Sequence, residues 1–386
     1  MRRWLTVVAL MGLLSGCSTV RGWFGGGESG PPPASLQPLQ SKVTLKTVWT
    51  KQVGAGSGGQ FVKLVPAVDG KHVYVAGRDG QVAAVDVSSG KTVWKTDTKA
   101  RIAGGIGVGN GLVLVGTSDA GVIALKAGDG SQAWRTAVSS EVLGAPQARN
   151  GVVVAQTVDG NVVGLSADDG HQLWVYDRSV PVLSLRGTAS PTIYQGNALV
   201  GFASGKLVAL GMKNGSMLWD ATVAQPTGPS ELDRMVDVDS QPKVAGDVVY
   251  AVTYQGRVAA VSAANGQVIW AHKMSSWAGL GVDSNQLYVT DADSDVWSFD
   301  RLSGASVWKQ DKLHNRTLTA PTPYGKYVAV GDFQGYLHLL SKADGSLVAR
   351  VQLDEDGYLA PPVVAGDLLI SYGEGGELAA CRVSGG

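Results

Sequence analysis

Cysteine and histidine are scarce in this sequence. Only two of its 386 residues are cysteines, Cys17 and Cys381. If Cys17 is covalently modified, Cys381 has no partner for an internal disulfide. The five histidines are too scattered to form the paired ligands of a helical zinc motif: His72, His171, His272, His314 and His338. Neither charge is in excess, because 32 Lys and Arg face 32 Asp and Glu, and a global field that would attract nucleic acid is therefore excluded.

Recognised catalytic and metal-binding motifs are also missing. There is no G-x-S-x-G nucleophile motif. The glycine-rich stretch at 54–59 precedes a strand-like run at 61–65 instead of opening a helix, which argues against a phosphate-binding loop. Residues 291–295 begin like a calcium loop, yet Val296 and Leu302 occupy the positions that need Gly and Glu. The sequence thus predicts no catalytic residues, no bound metal and no cofactor.

What is present begins with a processing signal. Two arginines precede a short apolar run and small residues, which predicts a signal peptide over residues 1–16. The segment Leu14–Cys17 resembles the lipobox of bacterial lipoproteins, and the alternative is an ordinary signal peptide with an incidental cysteine. The resemblance implies acylation of Cys17 and cleavage before it. Because Ser18 follows instead of Asp, it also implies a lipid anchor in the outer membrane, facing the periplasm.

The stretch after the lipobox is rich in Gly, Pro and Ser and poor in periodic apolar residues. Such a composition does not fold by itself, so we expect residues 17–40 to be the lipidated cysteine and a flexible tether. Residues 18–40 would span at most about 75 Å when fully extended. The folded domain is predicted over residues 41–386.

A pattern that first occurs as DGQVAAVDVSSGKTVW at 79–94 recurs through the rest of the chain. Its further copies lie at 119–134, 159–174, 204–219, 255–270, 293–308, 334–349 and, in shortened form, 375–386. Each copy reads as two strands, the first of alternating polarity, and two more strand-like runs precede it. Repeats of about 40 residues with four short strands predict an all-β fold, an eight-bladed β-propeller.

The eighth copy ends before the strand that should carry its tryptophan. The missing strand occurs alone near the start of the domain, as Lys46–Trp49, and we therefore predict that this N-terminal strand closes the ring in the last blade. Seven tryptophans share the same position in the repeat and are interpreted as packing anchors between blades: Trp49, Trp94, Trp134, Trp174, Trp219, Trp270 and Trp308.

The repeat, with Ala84, Asp86, Gly90, Lys91 and Trp94 at fixed spacing, resembles the tryptophan-docking repeat of quinoprotein dehydrogenases. Those enzymes are eight-bladed and bind pyrroloquinoline quinone with calcium, so a periplasmic quinoprotein-type oxidoreductase is the alternative function. Their adjacent cysteine pair is missing from this sequence, and the chain is too short for their large insertions.

Two neighbouring connections are expanded over the basic spacing of 40 residues, and the gap of 45 between Trp49 and Trp94 contains the glycine-rich stretch at 54–59. The anchoring tryptophans are 40 residues apart in the shortest early repeats, but 45 apart between Trp174 and Trp219 and 51 apart between Trp219 and Trp270. The extra residues fall in the loops 175–191 and 220–242, which should emerge side by side on one face of the propeller. Mixed apolar and charged residues in both loops predict a protein interface, and the alternative is a pair of ordinary solvated loops.

The segments PVLSLRG (181–187), ELDRMVDVDSQP (231–242) and GDFQGYLHLL (331–340) resemble the BamB family of the outer-membrane β-barrel assembly machine, the BAM complex. The resemblance implies a non-enzymatic scaffold whose partners are the POTRA domains of BamA and other BAM subunits. Unfolded outer-membrane proteins are a further candidate partner. Residues that match the family's partner contacts are Leu183, Leu185, Arg186, Asp237 and Asp239.

Overall fold

Every regular element in the described part of the chain is a β-strand. The structure, a computed structural model, describes residues 31–185, 187 and 189–385, and the 32 strands β1–β32 lie between residues 44 and 384. The described residues contain no helix that is long and apolar enough to cross a membrane. The predicted all-β fold is confirmed.

Strands consecutive in the chain form the first four blades, each an antiparallel sheet of four strands. Their bounds are β2 (Ala67–Asp69), β3 (His72–Ala76), β4 (Gln81–Asp86) and β5 (Thr92–Asp97) in blade 1; β6 (Ile102–Gly109), β7 (Leu112–Thr117), β8 (Gly121–Lys126) and β9 (Gln132–Ala137) in blade 2; β10 (Gln147–Arg149), β11 (Val152–Gln156), β12 (Val162–Ser166) and β13 (Gln172–Tyr176) in blade 3; β14 (Thr192–Tyr194), β15 (Asn197–Gly201), β16 (Lys206–Gly211) and β17 (Met217–Thr222) in blade 4.

The other four blades continue this order, and only the last one takes a strand from elsewhere. Their bounds are β18 (Lys243–Ala245), β19 (Val248–Val252), β20 (Gly256–Ser262) and β21 (Val268–Met274) in blade 5; β22 (Gly279–Val282), β23 (Gln286–Thr290), β24 (Val296–Asp300) and β25 (Ser306–Gln310) in blade 6; β26 (Thr322–Tyr324), β27 (Tyr327–Gly331), β28 (Tyr336–Ser341) and β29 (Leu347–Gln352) in blade 7; β30 (Val363–Ala365), β31 (Leu368–Tyr372), β32 (Glu377–Ser384) and β1 (Thr44–Gln52) in blade 8.

The first strands of successive blades contact one another in sequence from β2 to β30, and β30 contacts β2. The blades therefore form a closed ring whose innermost strands face the centre. This confirms the predicted eight-bladed propeller.

Middle strands of the blades are covered on both faces. All six residues of β7 are buried, and four of the six residues of β4 are buried without alternation. The sequence suggested an alternating strand at β4, but a neighbouring blade covers each face of the sheet, so both faces carry Val and Ala. Outer strands such as β5 bury little besides Trp94.

Ring closure joins the two ends of the domain. Strand β1 pairs antiparallel with β32, with Thr44 opposite Ser384 and Gln52 opposite Glu377. The prediction that Lys46–Trp49 completes the last blade is confirmed, and the strand extends beyond those residues on both sides.

Each anchoring tryptophan ties its blade to the next one. The indole Nε1–H donates a hydrogen bond of 2.8–3.1 Å to a backbone carbonyl of the following blade, in the pairs Trp49–Val87, Trp94–Ala127, Trp134–Ala167, Trp174–Met212, Trp219–Ala263, Trp270–Arg301 and Trp308–Lys342. The packing role predicted for these residues is confirmed.

The indole ring also lies flat against a turn glycine of the following blade. A Cβ added at Gly130 would lie 2.4 Å from the ring of Trp94, and Gly130 has a φ of +73°. Both the close approach and the left-handed backbone require glycine there. The same approach recurs at Gly90, Gly170, Gly215, Gly266, Gly304 and Gly345.

The C-terminal part of the predicted tether contacts the propeller. The Ala34 amide donates to the His314 carbonyl at 2.9 Å, and the Arg316 guanidinium donates to the Ala34 carbonyl at 3.1 Å. Leu36 packs against the core beside blade 7, and Arg350 bonds the Gln37 carbonyl. The expectation of a free tether up to residue 40 is therefore wrong for residues 34–37, because these polar partners on the propeller satisfy its backbone. Residues 17–30 lie outside the described part.

Ring closure can be tested at Trp49. Replacing it by Ala removes the indole that packs on Gly90 and bonds the Val87 carbonyl, so we expect a loss of about 3 kcal/mol in the free energy of unfolding. Val48, the exposed neighbour in the same strand, is the matched control, and Val48→Ala should change stability by no more than about 0.5 kcal/mol. Urea denaturation measures both. Equal stability of the two variants would show that β1 does not close the ring.

Candidate functional site

The two long loops run from β13 to β14 and from β17 to β18. Strand direction alternates within a blade, so all connections between blades emerge on one face, which we call the loop face. Blades 3 and 4 are neighbours, and their loops touch: the Leu185 amide donates to Asp237 Oδ2, and Gly187 packs against the Asp239 carboxylate. The predicted adjacency of the two loops is confirmed.

The second loop contains a compact turn at 228–234 that satisfies its own polar groups. The Ser230 hydroxyl donates to Asp233 Oδ2 at 2.5 Å, and the Arg234 guanidinium donates to the carbonyls of Gly228 and Pro229 at 3.2 and 3.3 Å. Arg234 also pairs with Glu231. The turn leaves Leu232 exposed to solvent, which the sequence did not single out.

Asp237 is an internal residue of this site. Its side chain is only 3% exposed, the Leu185 amide bonds Oδ2, and no partner for Oδ1 occurs among the described residues. Burial raises the pKa of Asp237 to about 6; the Leu185 amide opposes that rise and the charge of Asp239 adds to it. The carboxylate thus fastens one loop to the other and has almost no surface to offer a partner.

Asp239 faces inward as well. Its carboxylate lies against Gly187, and burial raises its pKa while the positive charge of Lys63 opposes the rise. Lys63 comes from the connection between blades 8 and 1, and its ammonium donates to the Trp277 carbonyl at 2.5 Å. Burial lowers the pKa of Lys63, and Asp239 partly offsets this. Asp239 therefore belongs to a polar cluster at the end of the central channel.

The apolar residues of the first loop face solvent. Leu183 is 42% exposed and Val182 is 88% exposed, while Leu185 is half-buried beside its bond to Asp237. Val182 shares this surface with Leu183, and the expectation from sequence had not placed it among the partner residues. Arg186 was predicted to contact the partner and lies outside the described residues. Neighbouring apolar side chains on a loop that is fixed by hydrogen bonds form a surface suited to protein contact.

Comparison with known proteins identifies the family. A family model described as "Outer membrane protein assembly factor BamB" matches residues 41–104 and 78–310. A protein of that name from Pseudomonas aeruginosa is 51% identical over 352 residues, which cover 91% of this chain and 93% of the relative. The chain belongs to the BamB family. The crystal structure of BamB from Moraxella catarrhalis superposes with a TM-score of 0.80 and 27% identity, covering 88% of this chain and 100% of that one.

The likeness to quinoproteins is confined to the fold. A quinohemoprotein alcohol dehydrogenase from Comamonas testosteroni matches with a TM-score of 0.69 but only 16% identity, over 89% of this chain and 77% of its own. The propeller of the BamB family and that of these enzymes thus have the same architecture.

The burial of Asp237 predicts a pH dependence. Its folded-state pKa of about 6 lies above the usual value of an aspartate, so the fold favours the neutral form and stability falls as pH rises from about 4 to about 6. Asp237→Asn keeps an acceptor for the Leu185 amide and cannot ionise. At pH 7 it should be more stable than the wild type by about 1–3 kcal/mol, and at pH 4 the two should converge.

Urea denaturation between pH 4 and pH 7 measures this difference. Asp86→Asn serves as the control, because turn hydroxyls and amides lower the pKa of Asp86 to about 2 and its titration falls outside this range. A parallel pH dependence of the wild type and Asp237→Asn would show that Asp237 titrates as an exposed carboxyl group.

Proposed function

We propose that the protein is a non-enzymatic scaffold lipoprotein that works within the outer-membrane protein assembly machinery by binding BamA. Membership in the BamB family supports the role, and the exposed apolar residues on the fixed first loop support a binding surface there. The loop-to-loop bond between Leu185 and Asp237 is the observation on which this proposal rests most directly.

A preformed loop reduces the conformational entropy that a partner would otherwise have to overcome on binding. Asp237 fixes the backbone at Leu185, and the turn at 228–234 is fixed by its own hydrogen bonds. Val182 and Leu183 then project as apolar anchors whose burial supplies the favourable free energy. Arg186 would add a charge-assisted contact to an acidic group of the partner.

Asp237 and Asp239 receive a different role from the one their sequence motif implied. Both match partner contacts of the family, but their carboxylates engage Leu185, Gly187 and the charge of Lys63. We therefore assign them as positioning residues of the first loop, and Val182, Leu183 and Arg186 as contact residues.

The proposed location is the periplasmic face of the outer membrane, with the lipid on Cys17. Binding of other BAM subunits and of unfolded outer-membrane proteins belongs to the same proposal. The outer blade edges suit an added strand, because β13, β17 and β21 carry exposed apolar residues such as Leu173, Leu218 and Ile269. Only the shared propeller architecture supports the alternative of a quinoprotein-type oxidoreductase.

The lipid anchor is tested by Cys17→Ser. Without the thiol no acyl group can be attached, so the variant should stay uncleaved or appear free in the periplasm. Membrane fractionation without detergent measures this, with Cys381→Ser as the matched control, which should stay with the outer membrane. Release of the wild type by osmotic shock would contradict lipid anchoring.

The partner surface is tested by Leu183→Ala. Truncating an apolar anchor should weaken capture of BamA at least about tenfold, and Arg186→Ala should have a similar effect. Leu302→Ala is the matched control, because Leu302 is 65% exposed in the turn between β24 and β25 of blade 6, away from both loops. Lys91→Ala, in a turn on the opposite face, should also capture BamA normally.

Two substitutions at Asp237 distinguish a residue that positions the first loop from one that contacts the partner. Asp237→Ala should weaken capture because the Leu185 amide loses its acceptor, whereas Asp237→Asn should restore capture. Pull-down with the POTRA domains and thermal melting are measured on the same samples. Normal capture by Leu183→Ala and Arg186→Ala, or a loss that appears only together with unfolding, would refute the proposed surface.

A further inference from the structure

The innermost strands surround a central channel of roughly 630 Å³. Its described lining comes from every part of the ring, for example Ile106 on β6, Gln147 on β10 and Val364 on β30. Val364 is exposed, so the channel is open to solvent. A cavity of this size falls within the usual range of small-molecule sites.

Much of the channel wall is apolar and poor in hydrogen-bond donors. Four prolines line it where the connections enter blades 7 and 8: Pro321, Pro323, Pro361 and Pro362. Proline has no backbone N–H, so these four positions offer carbonyl and carbon surface only. Leu280 and Val244 continue the apolar surface. A ligand that fits here needs an apolar body.

One cation in the channel has no acidic partner among the described residues. Lys243 is the first residue of β18, and its ammonium donates to Gln241 Oε1 at 2.7 Å. Burial lowers the pKa of Lys243 to about 8, and no neighbouring charge opposes the shift. Lys243 is half-buried, and an ammonium that is partly removed from water without a carboxylate is costly, so an anion would relieve the cost.

A second polar group in the channel, three residues before Lys243 in the chain, is unsatisfied. Ser240 lines the channel at 7% exposure, and its hydroxyl has no hydrogen-bond partner within the described part of the chain. The other ionisable groups in the described lining are Lys63 and Asp239, whose charges oppose each other. Lys243 therefore leaves the described channel with one net positive charge.

We propose that the central channel binds a small organic carboxylate with an apolar body, its carboxylate at Lys243 and Ser240 and its body against the proline-rich wall. The carboxylate accepts a charge-assisted hydrogen bond from the ammonium and a second bond from the hydroxyl, which satisfies both groups. The channel borders the BamA-binding loops at Gly187 and Asp239, but the proposal does not depend on BamA binding.

Benzoate is a suitable probe, with benzamide as its uncharged match. Calorimetric titration of the full mature chain at pH 7 should show benzoate binding with a Kd of about 1 mM or tighter and benzamide binding at least about tenfold weaker. Benzoate affinity should fall as pH rises above 8, because Lys243 loses its proton.

Lys243→Met keeps the length of the side chain and removes its charge, so it should weaken benzoate binding to the level of benzamide. Lys243→Arg should retain binding, and Lys213→Met, in a turn on the opposite face, should leave it unchanged. Thermal melting of Lys243→Met should be no lower than that of the wild type, because the variant removes a partly buried charge. Absence of benzoate binding at about 10 mM, or equal binding by Lys243→Met and the wild type, would overturn the proposal.

Discussion

The docking of each indole onto the next blade is the interaction on which this architecture depends. One hydrogen bond from Nε1–H and one flat contact with a glycine join neighbouring sheets, and the pair recurs seven times. A single four-stranded sheet cannot bury both faces, so the stability of each blade comes largely from its neighbours. The ring that results leaves a channel at its centre and places the connections between blades together on one face.

The sequence predicted the ring well because the relevant signals are periodic. Trp94, Gly130 and their equivalents recur at fixed spacing, and the isolated strand at Lys46–Trp49 had only one place to pair. Loop lengths likewise predicted that two connections meet on one face. These features follow from the spacing of residues along the chain, and spacing can be read from a single sequence.

The roles of side chains in the loops were harder to predict because they depend on contacts between distant segments. Asp237 reads as an exposed acid in a polar loop, yet the Leu185 amide from another blade bonds it in the interior. Asp239 meets the charge of Lys63 from a connection far away in sequence. The docking of Ala34 on His314 and Arg316 had no sequence signal either.

Pairing of β1 with β32 has a consequence for the order of events during folding. Thr44 is synthesised long before its partner Ser384, so the eighth blade unites two segments that leave the ribosome far apart in time. Until then β1 is an unpaired edge carrying Val48 and Trp49, and the last blade lacks its outer strand. Seven blades consist of strands that are consecutive in the chain and can assemble as they are synthesised. The eighth blade forms only when β1 pairs with β32 from the other end of the domain. A chain interrupted before β32 would therefore contain seven complete blades but leave the edges of β1 and β31 unpaired. Both edges could then pair with strands of another molecule.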